Sequence, residues 1–159
     1  MFIFVMYKDA PELSHYSRRS SSELDPSVEK TLLVNPNCQV RVMFEYIRKK
    51  CKLGTFTQFD LSEANGLLKG LFELDTFAYA TNLFEHKRTY YLIVLKPESD
   101  KRLSVIPQLS QDNSFYQALK SRVNNYILTG AVSPSNTPPS KATPPGKITP
   151  PKTTSAKKK

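Results

Sequence analysis

The sequence predicts an α+β domain with element order β-β-α-β-β-β, followed by an added helix and a basic tail. Three observations carry this expectation. Short apolar runs with β-branched and aromatic residues occur at 1–7, 31–35 and 89–96. Between the second and third of these, Val40, Phe44, Ile47 and Cys51 recur at the spacing of one helix face. Seven of the 12 prolines fall between Pro134 and Pro151, where hydrophobic periodicity ends.

Residues 1–7, MFIFVMY, are apolar throughout and too short for a helix, so they read as the first strand. Residues 9–30 carry two prolines, a serine run and mixed charge, and read as an oversized loop inserted in a hairpin. TLLVN at 31–35 is the second strand, and Pro36 stops it. Asn37 has the side chain of a helix N-cap, and Gly54 suits the helix end. Phe59–Glu63 and Leu67–Phe72 flank Asn65-Gly66, a pair that tolerates positive φ, so a short second hairpin is expected. Residues 73–88 are irregular, with a helical turn near Phe77–Leu83, and TYYLIVLK at 89–96 is the clearest strand. Asp112, Asn113 or Ser114 can cap a final helix over 114–128, with Phe115, Leu119, Val123 and Tyr126 or Ile127 on its apolar face and Gly130 at its end. The expected division is thus a domain at 1–130 and a disordered basic Pro/Thr/Lys-rich tail at 131–159.

A hairpin, a helix crossing it, a short hairpin and a long last strand make the β-grasp order. Here the sequence resembles the ubiquitin-like fold: MFIFVMY resembles its first strand, TLLVNPN its second strand and helix start, ANGLLK the turn before its fourth strand, and TYYLIVLK its last. More closely, LLVNPNCQVRVMFEYIRKKCKLG, FDLSEANGLLKGLF and TYYLIVLK resemble an uncharacterised animal family, homologues of a human X-chromosome open reading frame protein. That family carries no function across, and the 9–30 insert departs from its pattern. The ubiquitin-like resemblance implies a fold and not a conjugatable modifier, because no Gly-Gly occurs in the chain.

The chemistry-bearing residues form no recognisable site, and no enzyme is expected. His15, His86, Cys38 and Cys51 lack metal-ligand spacing, so no metal is expected. The five glycines make no phosphate-binding loop, and no cofactor or small-molecule ligand is implied. Cys51 lies between Lys50 and Lys52, yet a cysteine on a helix stripe is a core residue first. On one helix Cys38 and Cys51 would stand roughly 20 Å apart, too far for a disulfide. With no apolar run long enough to cross a membrane and no leader pattern, the expectation is an intracellular protein of cytoplasm or nucleus.

Strand alternation yields the functional expectation. If Ile3, Val5, Leu32, Val34, Tyr91, Ile93 and Leu95 face the helix, then Phe2, Phe4, Leu33, Tyr90, Leu92 and Val94 form a second face that is unusually apolar. Two readings compete: the final helix covers that face, or it is an exposed patch that docks a protein partner. Arg18-Arg19-Ser20-Ser21 marks Ser21 as a basophilic kinase site, and Thr149-Pro150-Pro151-Lys152 marks Thr149 as a proline-directed one.

Of the net charge of +9, six charges are the tail lysines, which leaves +3 for the rest. Thr-Pro-Pro recurs from Thr137, Thr143 and Thr149, without PxxP. A second function class is therefore a scaffold whose tail meets DNA or microtubules, weakly and in a salt-sensitive way. The tail carries no aromatic residue for base stacking.

Overall fold

The computed structural model describes residues 1–9, 28–98 and 102–132. They form a mixed five-stranded sheet and two α-helices. The elements are β1 (Ile3–Lys8), β2 (Glu29–Val34), α1 (Val40–Lys50), β3 (Gln58–Ser62), β4 (Thr89–Pro97), β5 (Leu103–Pro107) and α2 (Ser114–Thr129), with a 3-10 turn at Thr81–Leu83. The 9–30 insert, apart from its ends, and the tail from residue 133 on lie outside the described residues.

The strand order is β2-β1-β4-β3. β1 and β2 are antiparallel, with Ile3 opposite Val34 and Lys8 opposite Glu29. β1 runs parallel to the start of β4, with Val5 opposite Tyr90. β3 lies antiparallel along Tyr91–Leu95 of β4. β5 pairs antiparallel with Ile93–Pro97, so it continues along the β4 edge that β1 vacates.

Successive side chains of a strand point to opposite faces, and both faces of this sheet are buried. On one face Ile3, Val5, Val34, Phe59, Tyr90, Leu92 and Val94 pack with Val40, Met43 and Ile47 of α1. On the other, Ile93 and Val105 pack with Tyr116, Leu119 and Val123 of α2, with Met6, Tyr91 and Leu95 at the margin. The competition between a covered and an open second face thus has a spatial answer. α2 covers the β4/β5 part and reaches Met6 of β1 at its margin, and among the described residues no helix covers Phe4 and Leu33.

Three expectations are corrected. Tyr90, Leu92 and Val94 are fully buried under α1, whereas Tyr91, Ile93 and Leu95 turn to α2. A strand apolar on both faces gives alternation no handle on which residue faces which way. Leu67–Phe72 makes only an isolated bridge, Ser62 to Leu68. The backbone N–H groups of Gly70 and Leu71 donate to the Asp60 carboxylate, at 2.8 and 3.3 Å, instead of to a strand. β5 was not anticipated, because Pro97 and Pro107 bracket it; Pro107 is tolerated as its last residue.

Helix ends also differ in detail. The α1 N-cap is Gln39, whose side chain makes no cap bond. The first helical N–H groups of Val40 and Arg41 instead donate to the carbonyls of Ala78 and Thr76, so the 76–80 loop caps the helix. Asn37 meets the Thr81 hydroxyl at 3.3 Å. α2 follows expectation: Asn113 Oδ1 accepts from Phe115 N at 2.9 Å, and Gly130 closes the helix in the left-handed conformation at φ 68°.

Candidate functional site at the open edge of the sheet

The six residues expected to form one face separate into two groups. Tyr90, Leu92 and Val94 belong to the α1 core, as above. Phe2 and Phe4 are half-buried and Leu33 is exposed, and none of the three joins the α2 cluster. Phe2 and Phe4 meet edge to face at 5.6 Å between centroids, and Phe2 meets His86 at 4.6 Å. The Phe2 N–H donates to His86 Nδ1 at 3.2 Å. Leu33 is 55% exposed. Ser21 and Thr149 lie outside the described residues.

These surface residues sit beside an open strand edge. β2 has a single strand neighbour among the described residues, β1. Its outward groups follow from the hydrogen bonds of β1. Phe4 N donates to Arg88 O at 3.0 Å and Phe2 O accepts from Lys87 N at 2.8 Å, so Phe2 and Phe4 direct their backbone groups toward β4. In an antiparallel pair, N–H and C=O of one residue point the same way. Leu33, opposite Phe4, and Thr31, opposite Met6, therefore present theirs to the outside. The Leu33 carbonyl meets the Tyr46 hydroxyl there at 3.4 Å, a long contact that a better donor can replace.

Next to that edge runs a groove of about 360 Å³. β2 and the chain after it supply Leu33, Val34 and Asn35, α1 supplies Val42 and Tyr46, and Phe2 closes one end. Val42 is 54% exposed and Tyr46 40% exposed, although both stand on the helix that carries the core. They occupy the α1 flank beside the buried stripe, at i and i+4. Sequence reasoning missed Val42 and Tyr46 because only the buried stripe was sought. The signal was present: two further large apolar residues on a helix whose core face was already complete.

Other clusters have structural duties. Cys51 is 2% exposed in the α1 core, and burial pushes its thiol far above the usual range. Burial also raises Cys38, whose Sγ meets the Asn35 carbonyl at 3.3 Å. Neither is poised as a thiolate nucleophile. Asp60 lines a second concavity of about 490 Å³ under the end of α2, with Phe72, Leu103 and Tyr126. Its carboxylate is engaged by the N–H groups of Leu61, Gly70 and Leu71, so it anchors the 70–71 loop. Glu63 is paired with Lys69 and Arg88, which ties the end of β3 to the start of β4. Arg48 lies over the rings of Phe44 and Phe59 and donates to the carbonyls of Gly54 and Thr57. Among the described residues, no group of three or more His, Cys, Asp or Glu is placed to hold a metal ion, and no helix is long and apolar enough to cross a membrane.

Residues 27–122 match the model of the Il2rg family, described as "Putative Interleukin 2 receptor, gamma chain". The match takes in β2 to β5, α1 and the first half of α2, and leaves β1 outside. It covers more than half of the chain. No solved structure matches.

Proposed function

The chain belongs to the Il2rg family, and from that premise we propose that it is a non-catalytic protein-interaction module that takes up an extended partner segment along β2. The observation that carries this reading is the open edge of β2 beside an apolar groove. The edge offers the N–H and C=O of Thr31 and Leu33, and the groove beside it is lined by Val34 together with Val42, Met43 and Tyr46 of α1. Strand addition works in this way: main-chain hydrogen bonds supply affinity, and pockets for alternate side chains supply selectivity.

The family description names a receptor chain, and partner binding is the one element of it carried into this proposal. Two free thiols, Cys51 deep in the core, suit a reducing compartment, cytoplasm or nucleus. The strand order β2-β1-β4-β3, the parallel central pair and α1 across one face support the ubiquitin-like β-grasp reading. The narrower kinship with the X-chromosome open reading frame homologues rests on the sequence stretches quoted above. The competing scaffold reading, on DNA or microtubules, rests on the composition of residues 131–159 alone.

The test is a heteronuclear NMR titration of the full chain with a six-residue Val/Ile-rich peptide. Shifts concentrated at the amides of Thr31 and Leu33 and around Val42 and Tyr46 are expected. Shifts confined to α2, or none at saturating peptide, would refute the edge-binding reading.

A further inference from the structure

The groove is lined mainly by apolar side chains, and a lysine stands beside it. Val42, Tyr46 and Lys49/Lys50 follow one another along one flank of α1 at helical spacing. Lys50 Nζ lies 5.9 Å from the centroid of the Tyr46 ring, which places its charge beside the Tyr46 wall of the groove. Three other basic residues nearby are engaged. Arg41 pairs with Glu45, Arg48 donates to the carbonyls of Gly54 and Thr57, and Lys30 pairs with Asp9. Lys49 and Lys50 make no ion pair among the described residues, and both are exposed. Among the described residues, the nearby acids Glu29 and Glu45 have other partners. Glu29 Oε1 accepts from Ser110 N at 2.8 Å and meets Asn113 Nδ2 at 3.5 Å, toward α2. Glu45 stands on the opposite flank with Arg41.

We propose that the occupant of the groove is an extended peptide segment of another protein, with an apolar stretch along β2 and acidic residues beside Lys49 and Lys50. This rests on the edge-binding reading above and adds to it the chemistry of the partner. The apolar stretch lies along the groove lined by Val34, Val42, Met43 and Tyr46. The carboxylates at its end answer Lys49 and Lys50, which also sets the direction in which the segment lies.

The test uses the full chain and peptides sharing one apolar core, flanked by three aspartates on the C-terminal side, by three on the N-terminal side, or by three lysines. Affinity is measured by calorimetry at low and high salt. Two exposed charge pairs predict that the better acidic peptide binds on the order of 10-fold tighter than the lysine peptide. That advantage shrinks at high salt. It is lost in the surface variant Lys49→Glu/Lys50→Glu, checked for an unchanged fold by circular dichroism. Equal binding of acidic and lysine peptides, or an advantage untouched by the double substitution, overturns the charge proposal and leaves the groove reading standing. Binding of none of the three overturns both.

Discussion

Replacing Gly66 by alanine tests how α2 is seated. Gly66 has φ +92°, and a Cβ built there would lie 2.6 Å from Arg122 Cβ and 2.7 Å from the Arg122 carbonyl carbon. Arg122 also donates from Nη1 to the Ala64 carbonyl at 2.8 Å, so the 63–67 turn and the middle of α2 are in close contact at Gly66 and Arg122. The left-handed conformation costs an alanine about 1–2 kcal/mol. Forcing a methyl group into a closed contact costs about 1–3 kcal/mol more. Gly130 supplies the control, because it is left-handed at φ +68° and its Cβ would meet nothing within 4 Å. Gly130→Ala should therefore lose about 1 kcal/mol, and Gly66→Ala about 2–5 kcal/mol, read from urea unfolding followed by circular dichroism. Equal losses in the two variants would show that α2 does not rest on the turn and would remove the reasoning.

Two further outcomes are expected. Leu92→Ala should cost about 2–5 kcal/mol, because Leu92 is fully buried, while Leu33→Ala should stay within about 0.5 kcal/mol; similar costs would contradict the assignment of the two residues to core and surface. Burial pushes the Asp60 carboxyl up to about 6, against the pull of its three backbone N–H donors. The folded chain then keeps that proton to higher pH than the unfolded chain, whose carboxyl ionises near 4, so this group makes stability fall as pH rises from about 4 to about 6. Asp60→Asn should lack that decline in a comparison of urea midpoints across the range, and an identical pH profile in both proteins would argue against it.

The elements most open to sequence reasoning were those with one exposed face. α1 and α2 were legible because charged residues such as Arg41 and Lys120 fall off their apolar stripes. β4 was legible as a strand and illegible in its facing, since TYYLIVL is apolar at every second residue in both phases and both phases are buried. The supposed strand at 67–72 failed because a side chain, Asp60, took its N–H groups, and propensity does not register a carboxylate reaching back ten residues. Of the candidate site, Phe2, Phe4 and Leu33 were within reach of strand alternation. The groove was not, since it depends on how α1 lies against β2, and no local pattern states that.

The pairing of β1 with β4 joins Phe4 to Thr89, and among the strands β4 alone contributes fully buried side chains to both hydrophobic clusters. During synthesis the first hairpin and α1 must therefore wait for some ninety residues to emerge before either has a surface to settle on. A product of splicing or proteolysis that ends ahead of β4 would not be a smaller domain. It would keep the open edge of β2 and lose the strand that gives that edge a fixed shape.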